Sequence, residues 1–476
     1  MSSPQTPSFD GGAGRLSRRA YGTLLVLCGA IFLDALDVSM VGVALPSIRE
    51  ELGMSTSSLQ WVVSGYVLGY GGFLLLGGRA ADLLGRRRVF LISLGVFLVA
   101  SGLGGLTNDG TLLVITRFIK GVAAAFTAPA GLSIITTSFP EGPLRNKALS
   151  IYAATGATGF SFGLVFGGVM TEIGWRFVFF LPVPLALITL LAAIRLVPRE
   201  GTQAPVTRRF DVSGAVSLTA AMLLLVFTLV EAPNAGWTSG RTLVSFAAAA
   251  ALLAAFVRHE QRTPAPLVRL GILRSASLVR ANLGAMSLIG GWFGFQFIAT
   301  LYMQQLRDWS ALETGLALFP GGLLVALLAP RLEPLIERYG VERLIVAGLA
   351  STVAGYVLFL PIGLDSGYAT AMLPTFLLGG LGFALAYAPL TMAATNGVRP
   401  EEQGLAGGLV NTSFQFGGAL VLAIVTAVNN ANSGAGNGGL LDGFQAAVIV
   451  SVIAAVLGVV ATVQRRGRLE AVPEGA

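Results

Sequence analysis

Apolar runs of helical length recur along this chain from about residue 21 to residue 464, and nothing else in it constrains the fold as strongly. A helix needs ~20 apolar residues to cross ~30 Å of hydrocarbon, and most of the runs approach that length. Gly, Pro and charged breaks separate them, whereas a membrane barrel would show strands of ~10 residues alternating in polarity. Composition agrees: 54% of residues are hydrophobic and 12% charged, with a mean hydropathy of +0.76. Soluble domains carry about 25% charge. The expectation is an all-α polytopic membrane protein with about fourteen spans, at 21–45, 59–79, 88–106, 111–134, 149–171, 177–197, 212–232, 241–258, 278–303, 313–332, 342–362, 369–391, 403–428 and 444–464.

The net charge of +7 is an orientation signal. Arg15, Arg18 and Arg19 precede the first span, which places the N-terminus in the cytoplasm, and alternate loops are then basic. Arg79 and Arg86 to Arg88 follow span 2, Arg145 and Lys147 span 4, Arg195, Arg199, Arg208 and Arg209 span 6. The pattern continues to Arg465, Arg466 and Arg468 in the tail, so both termini are expected to be cytoplasmic. Opposite loops hold only Arg49, Arg176, Arg241 and Arg307. No single basic patch exists, which argues against nucleic-acid binding. With one cysteine, Cys28, and one histidine, His259, the chain can form no internal disulfide and no Cys/His metal or haem site, and no cofactor is expected. The first span carries Asp34 and Asp37 and reaches Pro46 without a signal-peptidase-like site, so it is expected to stay as an anchor. Only Lys120 and Lys147 are lysines, against 29 arginines; this suggests a GC-rich bacterial gene and therefore the inner membrane.

The longest internal polar stretches, 198–211 and 259–277, isolate spans 7 and 8. The predicted plan is a cytoplasmic tail at 1–20, a six-helix unit at 21–197, a linker with two additional helices at 198–277, a second six-helix unit at 278–464 and a tail at 465–476. An internal echo supports it. Asp82, Gly85 and Arg88 after span 2 have the spacing of Glu337, Gly340 and Arg343 after span 10, in the matching loop of each unit. Repeated bundles with a substrate path at their interface are a common transporter plan. Gly159, Gly163 and Gly167 recur every four residues in span 5, and Gly168 extends the stripe. Such stripes allow close helix approach, as fixed packing or as a sliding contact between moving halves.

Ionisable residues in mid-span cost about 2.5–3.5 kcal/mol on insertion scales and usually face a cavity or a partner. Asp34 and Asp37 lie three apart in span 1, and Arg117 and Lys120 repeat that spacing in span 4. Two acids facing two bases form either a structural salt bridge or a proton relay, and sequence does not say which acid meets which base. The second unit has no mid-span acid; its polar interior positions, Gln296, Gln304, Gln305, Asn411 and Gln415, together with Trp61, Tyr66, Trp292 and Phe295, are candidates for a cavity wall.

Longer motifs carry a resemblance. They are Leu36 to Pro46, Gln60 to Tyr66, Gly78 to Arg88 with Asp82, Arg117 to Gly121, Trp175 to Phe177, and Gly404 to Gly418. On these the chain resembles the major facilitator superfamily, and within it the fourteen-span drug:proton antiporters, over about residues 21 to 464. The resemblance implies a major-facilitator fold, two six-helix bundles plus two additional helices, and no enzymatic activity. It implies that Asp37, Asp34, Arg117 and Lys120 couple transport to protons, and that Gly78, Asp82, Gly85, Arg86, Arg87 and Arg88 latch the cytoplasmic side. It implies small amphipathic drugs or related metabolites as cargo, protons as coupling ion, and a protein functional as a monomer in the bilayer. The chain departs from the family pattern at Gly42, usually Asn; at Lys120, usually Gln; at Leu164, usually Pro; and at Ser150, usually Gly. Asp34 and Lys120 are both charges beyond that pattern, which suggests a compensating pair. The functional expectation is a proton-driven exporter; the rivals are a facilitator of another metabolite and a non-transporting receptor.

Overall fold

The computed structural model describes residues 18–139, 143–198, 211–263, 270–396, 398 and 403–463. The expected tails, the arginine-bearing linker before span 7 and the side chains of Arg79 and Asp82 lie outside the described residues. The helices are α1 (Arg18–Leu52), α2 (Thr56–Leu84), α3 (Arg86–Leu106), α4 (Gly110–Ser138), α5 (Pro143–Ile173), α6 (Phe177–Phe180), α7 (Pro182–Leu196), α8 (Val212–Ala235), α9 (Gly240–Glu260), α10 (Ala276–Leu301), α11 (Ala311–Leu328), α12 (Leu332–Tyr339), α13 (Val341–Phe359), α14 (Leu373–Thr395), α15 (Gln403–Asn432) and α16 (Gly436–Thr462). No strand occurs among the described residues.

Local chemistry starts and stops these helices where the polar breaks fall. Ser55, Asp109, Asp211, Ser239 and Ser275 each accept a hydrogen bond from a backbone amide in the first turn of the following helix, and Ser310 with Glu313 closes a reciprocal cap on α11. Gly85 and Gly340 sit at φ 91° and 80° in the two echoing loops, a conformation that side chains disfavour and that lets one helix end and the next begin at once. The sixth expected span is broken at Leu181, ahead of Pro182 and Pro184, into α6 and α7. Residues 332–339, expected as loop, form the short amphipathic helix α12.

Twelve helical segments among the described residues are long and apolar enough to cross a membrane. Helix α2, of 29 residues, and α8, of 24, are not among the twelve; the apolar stretch described in α8 is Val216–Leu229. Large apolar side chains crowd the outer faces of α3 (Ile92, Val99), α7 (Ile188, Leu191), α9 (Leu243, Val244) and α16 (Leu457, Val460), all exposed. Water would not tolerate so much apolar surface; hydrocarbon does.

Packing places the interior. Helix α1 packs on α5, α2 on α4, α10 on α15 and α16, and α13 on α14, while α5 meets α11 and α2 meets α15. Helix α8 lies against both α2 and α15, and α9 packs on α8. The backbones touch through glycine: a Cβ on Gly69 would lie 2.3 Å from the Phe118 carbonyl oxygen, and one on Gly121 2.0 Å from that of Tyr66. That contact between α2 and α4 fixes the depth at which the basic residues of α4 meet α1.

Candidate functional site

Helices α1 and α4 bring three charges together where none is accessible. Asp37, Arg117 and Lys120 are at most 1% exposed. Arg117 Nη1 donates to Asp37 Oδ2 at 2.5 Å, and Lys120 Nζ donates to Asp37 Oδ1, so both carboxylate oxygens are taken. The guanidinium also donates through Nε to the Val62 carbonyl of α2 at 2.9 Å, and it lies 4.7 Å from the centre of the Tyr66 ring. The Lys120 ammonium sits 4.8 Å from the Phe97 ring and 5.3 Å from that of Phe179. Aromatic faces stabilise both cations, which leave the cluster with one positive charge in excess.

Asp34, one turn away on α1, has a different environment. Its Oδ1 accepts from the Tyr66 hydroxyl. It forms no ion pair among the described residues. The pair expected between Asp34 and Lys120 is therefore not what forms. Arg117 and Lys120, three apart on one face of α4, both reach Asp37, and Asp34 faces a pocket instead. Ile31, Leu94, Phe97, Thr127 and Tyr152 line that pocket with Asp34, around about 330 Å³ of empty space including the open mouth.

The other expected site residues separate into distinct places. Gly159, Gly163 and Gly167 press on Phe32, Leu36 and Met40 of α1, so this part of the stripe is packing between neighbours on the same side. Gly168 instead faces Ala311 and Leu312 of α11, where a Cβ would lie 2.6 Å from the Leu312 Cα; Gly315 and Gly322 face α5 in return. Gln304, in the turn that follows α10, donates to the Val43 carbonyl at 2.9 Å, and Gln296 of α10 approaches Gly42, so both contact α1 instead of lining the Asp34 pocket. Trp61 packs on Phe227 of α8, with ring centres 5.6 Å apart. Gln415 abuts Gly71 in a separate pocket between α2, α8 and α15, and Asn411 donates to the Gly407 carbonyl of its own helix. A mid-span polar side chain can serve a backbone carbonyl as readily as a cavity, and sequence does not distinguish the two.

Most of the stretch expected as the loop after span 2 is helical, with Gly85 alone between α2 and α3: a Cβ on Gly78, inside α2, would be in ordinary contact with Pro129, Arg87 of α3 donates to the carbonyls of Ile194 and Val197 at the end of α7, and Arg88 is exposed. Arg86 is half-buried at the start of α3, and Glu337 and Arg343 flank Gly340 on an exposed surface. The side chain of Asp82 lies outside the described residues. At the junction of α8 and α9, Asp211 caps α8 and lies 2.8 Å from His259. Burial raises the Asp211 carboxyl, but the Gly214 amide, His259 and Ser213 outweigh it and hold the group below the usual carboxylate range.

Residues that sequence reasoning passed over also gather here. Tyr70 is four residues after Tyr66 and its ring centre lies 6.0 Å away; Tyr152 lines the Asp34 pocket; Tyr387 of α14 stacks on Phe414 and Phe383. The i, i+4 spacing of Tyr66 and Tyr70 was the available signal.

A polytopic helical protein whose buried charges meet between its helices, with a pocket beside them, belongs to the class of membrane transporters. The Major Facilitator Superfamily model matches residues 27–422. The cephamycin export protein CmcT of Amycolatopsis lactamdurans is 37% identical over 88% of this chain and 87% of its own length. The puromycin resistance protein pur8 of Streptomyces alboniger is also 37% identical, over 87% of this chain and 82% of its own. The crystal structure of the human organic anion transporter MFSD10 superposes with a TM-score of 0.63 at 17% identity, covering 94% of this chain and 100% of that one. The chain belongs to the major facilitator superfamily. It is a multi-pass inner-membrane transporter of small molecules and, like its relatives, not an enzyme.

Proposed function

We propose that this transporter is a proton-driven exporter of small amphipathic drugs or related metabolites, working by alternating access as a monomer. One observation carries the reading: Asp37 is fully buried with both oxygens held by bases of α4. Protonating that carboxylate removes the charge that both bases answer. Arg117 and Lys120 then repel each other without compensation, and the arrangement of α1 against α4 that was lowest in energy ceases to be so. A proton can in this way be exchanged for a change of shape. Relatives named for cephamycin export and puromycin resistance favour antibiotics as cargo and export as direction.

In this reading the chain has fourteen spans: the twelve apolar segments, α2 and α8. Residues 21–197 and 278–464 form the two rocking units and 198–277 the inserted pair, with both termini cytoplasmic. Contacts between the units, Gln304 with Val43 and Glu172 with Leu312, lie toward the Leu52 end of α1, which is then the outer side, closed in this state. Gly78, Asp82, Gly85 and Arg86 to Arg88, echoed by Glu337 and Arg343, latch the opposite side when the units rock.

The test is uptake of puromycin into inverted vesicles energised by a pH gradient. Wild-type protein is expected to accumulate it and to stop when the gradient is collapsed, and Asp37→Asn is expected to lose at least tenfold of the gradient-dependent rate. Unchanged gradient-driven uptake by Asp37→Asn would remove Asp37 from the coupling role.

A further inference from the structure

We infer that His259 closes a proton-operated clasp at the foot of the α8–α9 pair, through which acid on the cytoplasmic side slows the transporter. The inference rests on the exporter reading, which places that foot in the cytoplasm, and adds regulation to it.

His259 is the only histidine in the chain, the residue type whose charge changes near neutral pH. It stands in the last turn of α9, and Asp211 is the N-cap of α8. Asp211 Oδ1 accepts from the Gly214 amide at 2.8 Å and from the Ser213 hydroxyl at 2.9 Å, and His259 Nε2 lies 2.8 Å from the same oxygen. The Asp211 side chain is 4% exposed and that of His259 38%. The carboxylate is fixed and dry, while the imidazole that reaches it stays open to protons from the water.

Charge decides which form of the imidazole the clasp holds. Asp211 Oδ2 is buried with no hydrogen-bond partner among the described residues. It converges with Oε1 of the buried Glu260 on the place where a Cβ of Gly214 would stand, at 2.4 and 2.6 Å. Two carboxylates therefore lie side by side and favour a cation next to them. The imidazolium supplies it, and the C-terminal end of α9 favours the same form. The Ser213 and Thr263 hydroxyls, 2.9 and 3.2 Å from Nε2, can turn to suit either form and do not discriminate. Arg258 and Arg262 are exposed, where solvent and salt screen them. The sign follows: the contact is charge-assisted while the imidazole is protonated, and weakens as pH rises through its titration.

What the clasp joins gives it reach. Helix α8 lies against α2 and α15, one from each unit, and α9 packs on α8. Closed at the foot, the pair is one stiff wedge across a seam that must shear when the units rock. Open, α8 can follow either unit without carrying α9. A proton-driven exporter brings protons into the cytoplasm, so a clasp that tightens in acid limits turnover when proton entry outruns removal.

A single histidine makes the test direct. Full-length protein isotope-labelled at histidine, purified without a histidine tag and held in nanodiscs, gives one imidazole to follow by NMR. Asp211→Asn, which keeps a capping residue, is expected to move its pH midpoint down by about half a unit or more. An unmoved midpoint would overturn the clasp. Puromycin uptake into inverted vesicles, whose outer face is the cytoplasmic one, is then compared for wild type and His259→Gln at equal pH gradients. The ratio of the two rates cancels any titration at Asp37. It is expected to rise from about one third near pH 6 to about one near pH 8, with its midpoint where the imidazole titrates, and His259→Lys is expected to stay slow throughout. A ratio independent of pH, or a fast His259→Lys, removes the regulatory role. The imidazole is read without cargo or gradient. Uptake that ignores the gradient, or no uptake, therefore sinks the exporter reading alone, and the NMR result still decides the clasp.

Discussion

Arg117 and Lys120 share one carboxylate but are not equivalent. Lys120 donates a hydrogen bond to Asp37 and otherwise rests between two aromatic rings, whereas Arg117 also donates to the carbonyl of Val62 on a second helix. Lys120→Gln keeps a donor near Oδ1 and leaves the pair of Asp37 with Arg117. Arg117→Gln also removes the bond to the Val62 carbonyl, which keeps its partner within α2, at a cost of about 0.5–1.5 kcal/mol. Thermal melting in detergent is therefore expected to place Arg117→Gln several degrees below Lys120→Gln; the reverse order would show that Lys120 is the principal tether. The presence of charge in spans 1 and 4 was legible from sequence because ionisable residues are rare there. Their pairing was not, since it depends on the rotation and depth of two helices that sequence leaves free. Tyr66 was named as a candidate, but Tyr70, Tyr152 and Tyr387 were missed for a related reason: a tyrosine in a span is as often interfacial as internal.

At the level of elements, glycine decides which helices touch. A Cβ at Gly163 would lie 2.0 Å from Ser39 Oγ and 2.6 Å from the Leu36 carbonyl oxygen, both on α1. A Cβ at Gly95 meets nothing within 4 Å. Gly163→Ala is expected to destabilise by about 1–3 kcal/mol through overpacking, and Gly95→Ala to be neutral or slightly stabilising through helix propensity. Equal melting temperatures for the two variants would contradict the packing of α5 on α1. The four-residue repeat was readable as close helix contact. Its partner was not: the same stripe serves α1 with three glycines and α11 with the fourth, because a helix of 3.6 residues per turn offers adjacent positions such as 167 and 168 to different neighbours.

For the molecule as a whole, the contact between α5 and α11 must open if access alternates. Leu312 N lies 3.3 Å from Glu172 Oε1, so cysteines at these two positions, in a Cys28→Ser background, are close enough for a short cross-linker. Cross-linking is expected to abolish uptake and reducing agent to restore it; full activity with the bridge in place would argue against rocking at this seam. The succession of spans was legible as apolar runs, whereas the place of α8 against α2 and α15 was not, because that contact depends on helix faces brought together from distant parts of the chain. The buried charges also bear on how the protein is made. Carried into the bilayer alone, the two bases of α4 would cost about 5–7 kcal/mol on insertion scales, and the acid that answers them leaves the ribosome 80 residues before Arg117. Helix α1 therefore has to be waiting in the membrane when α4 arrives. If Asp37 couples turnover as proposed, it would thus serve biogenesis as well, and its replacement is expected to lower the amount of protein reaching the membrane apart from any effect on each copy that does.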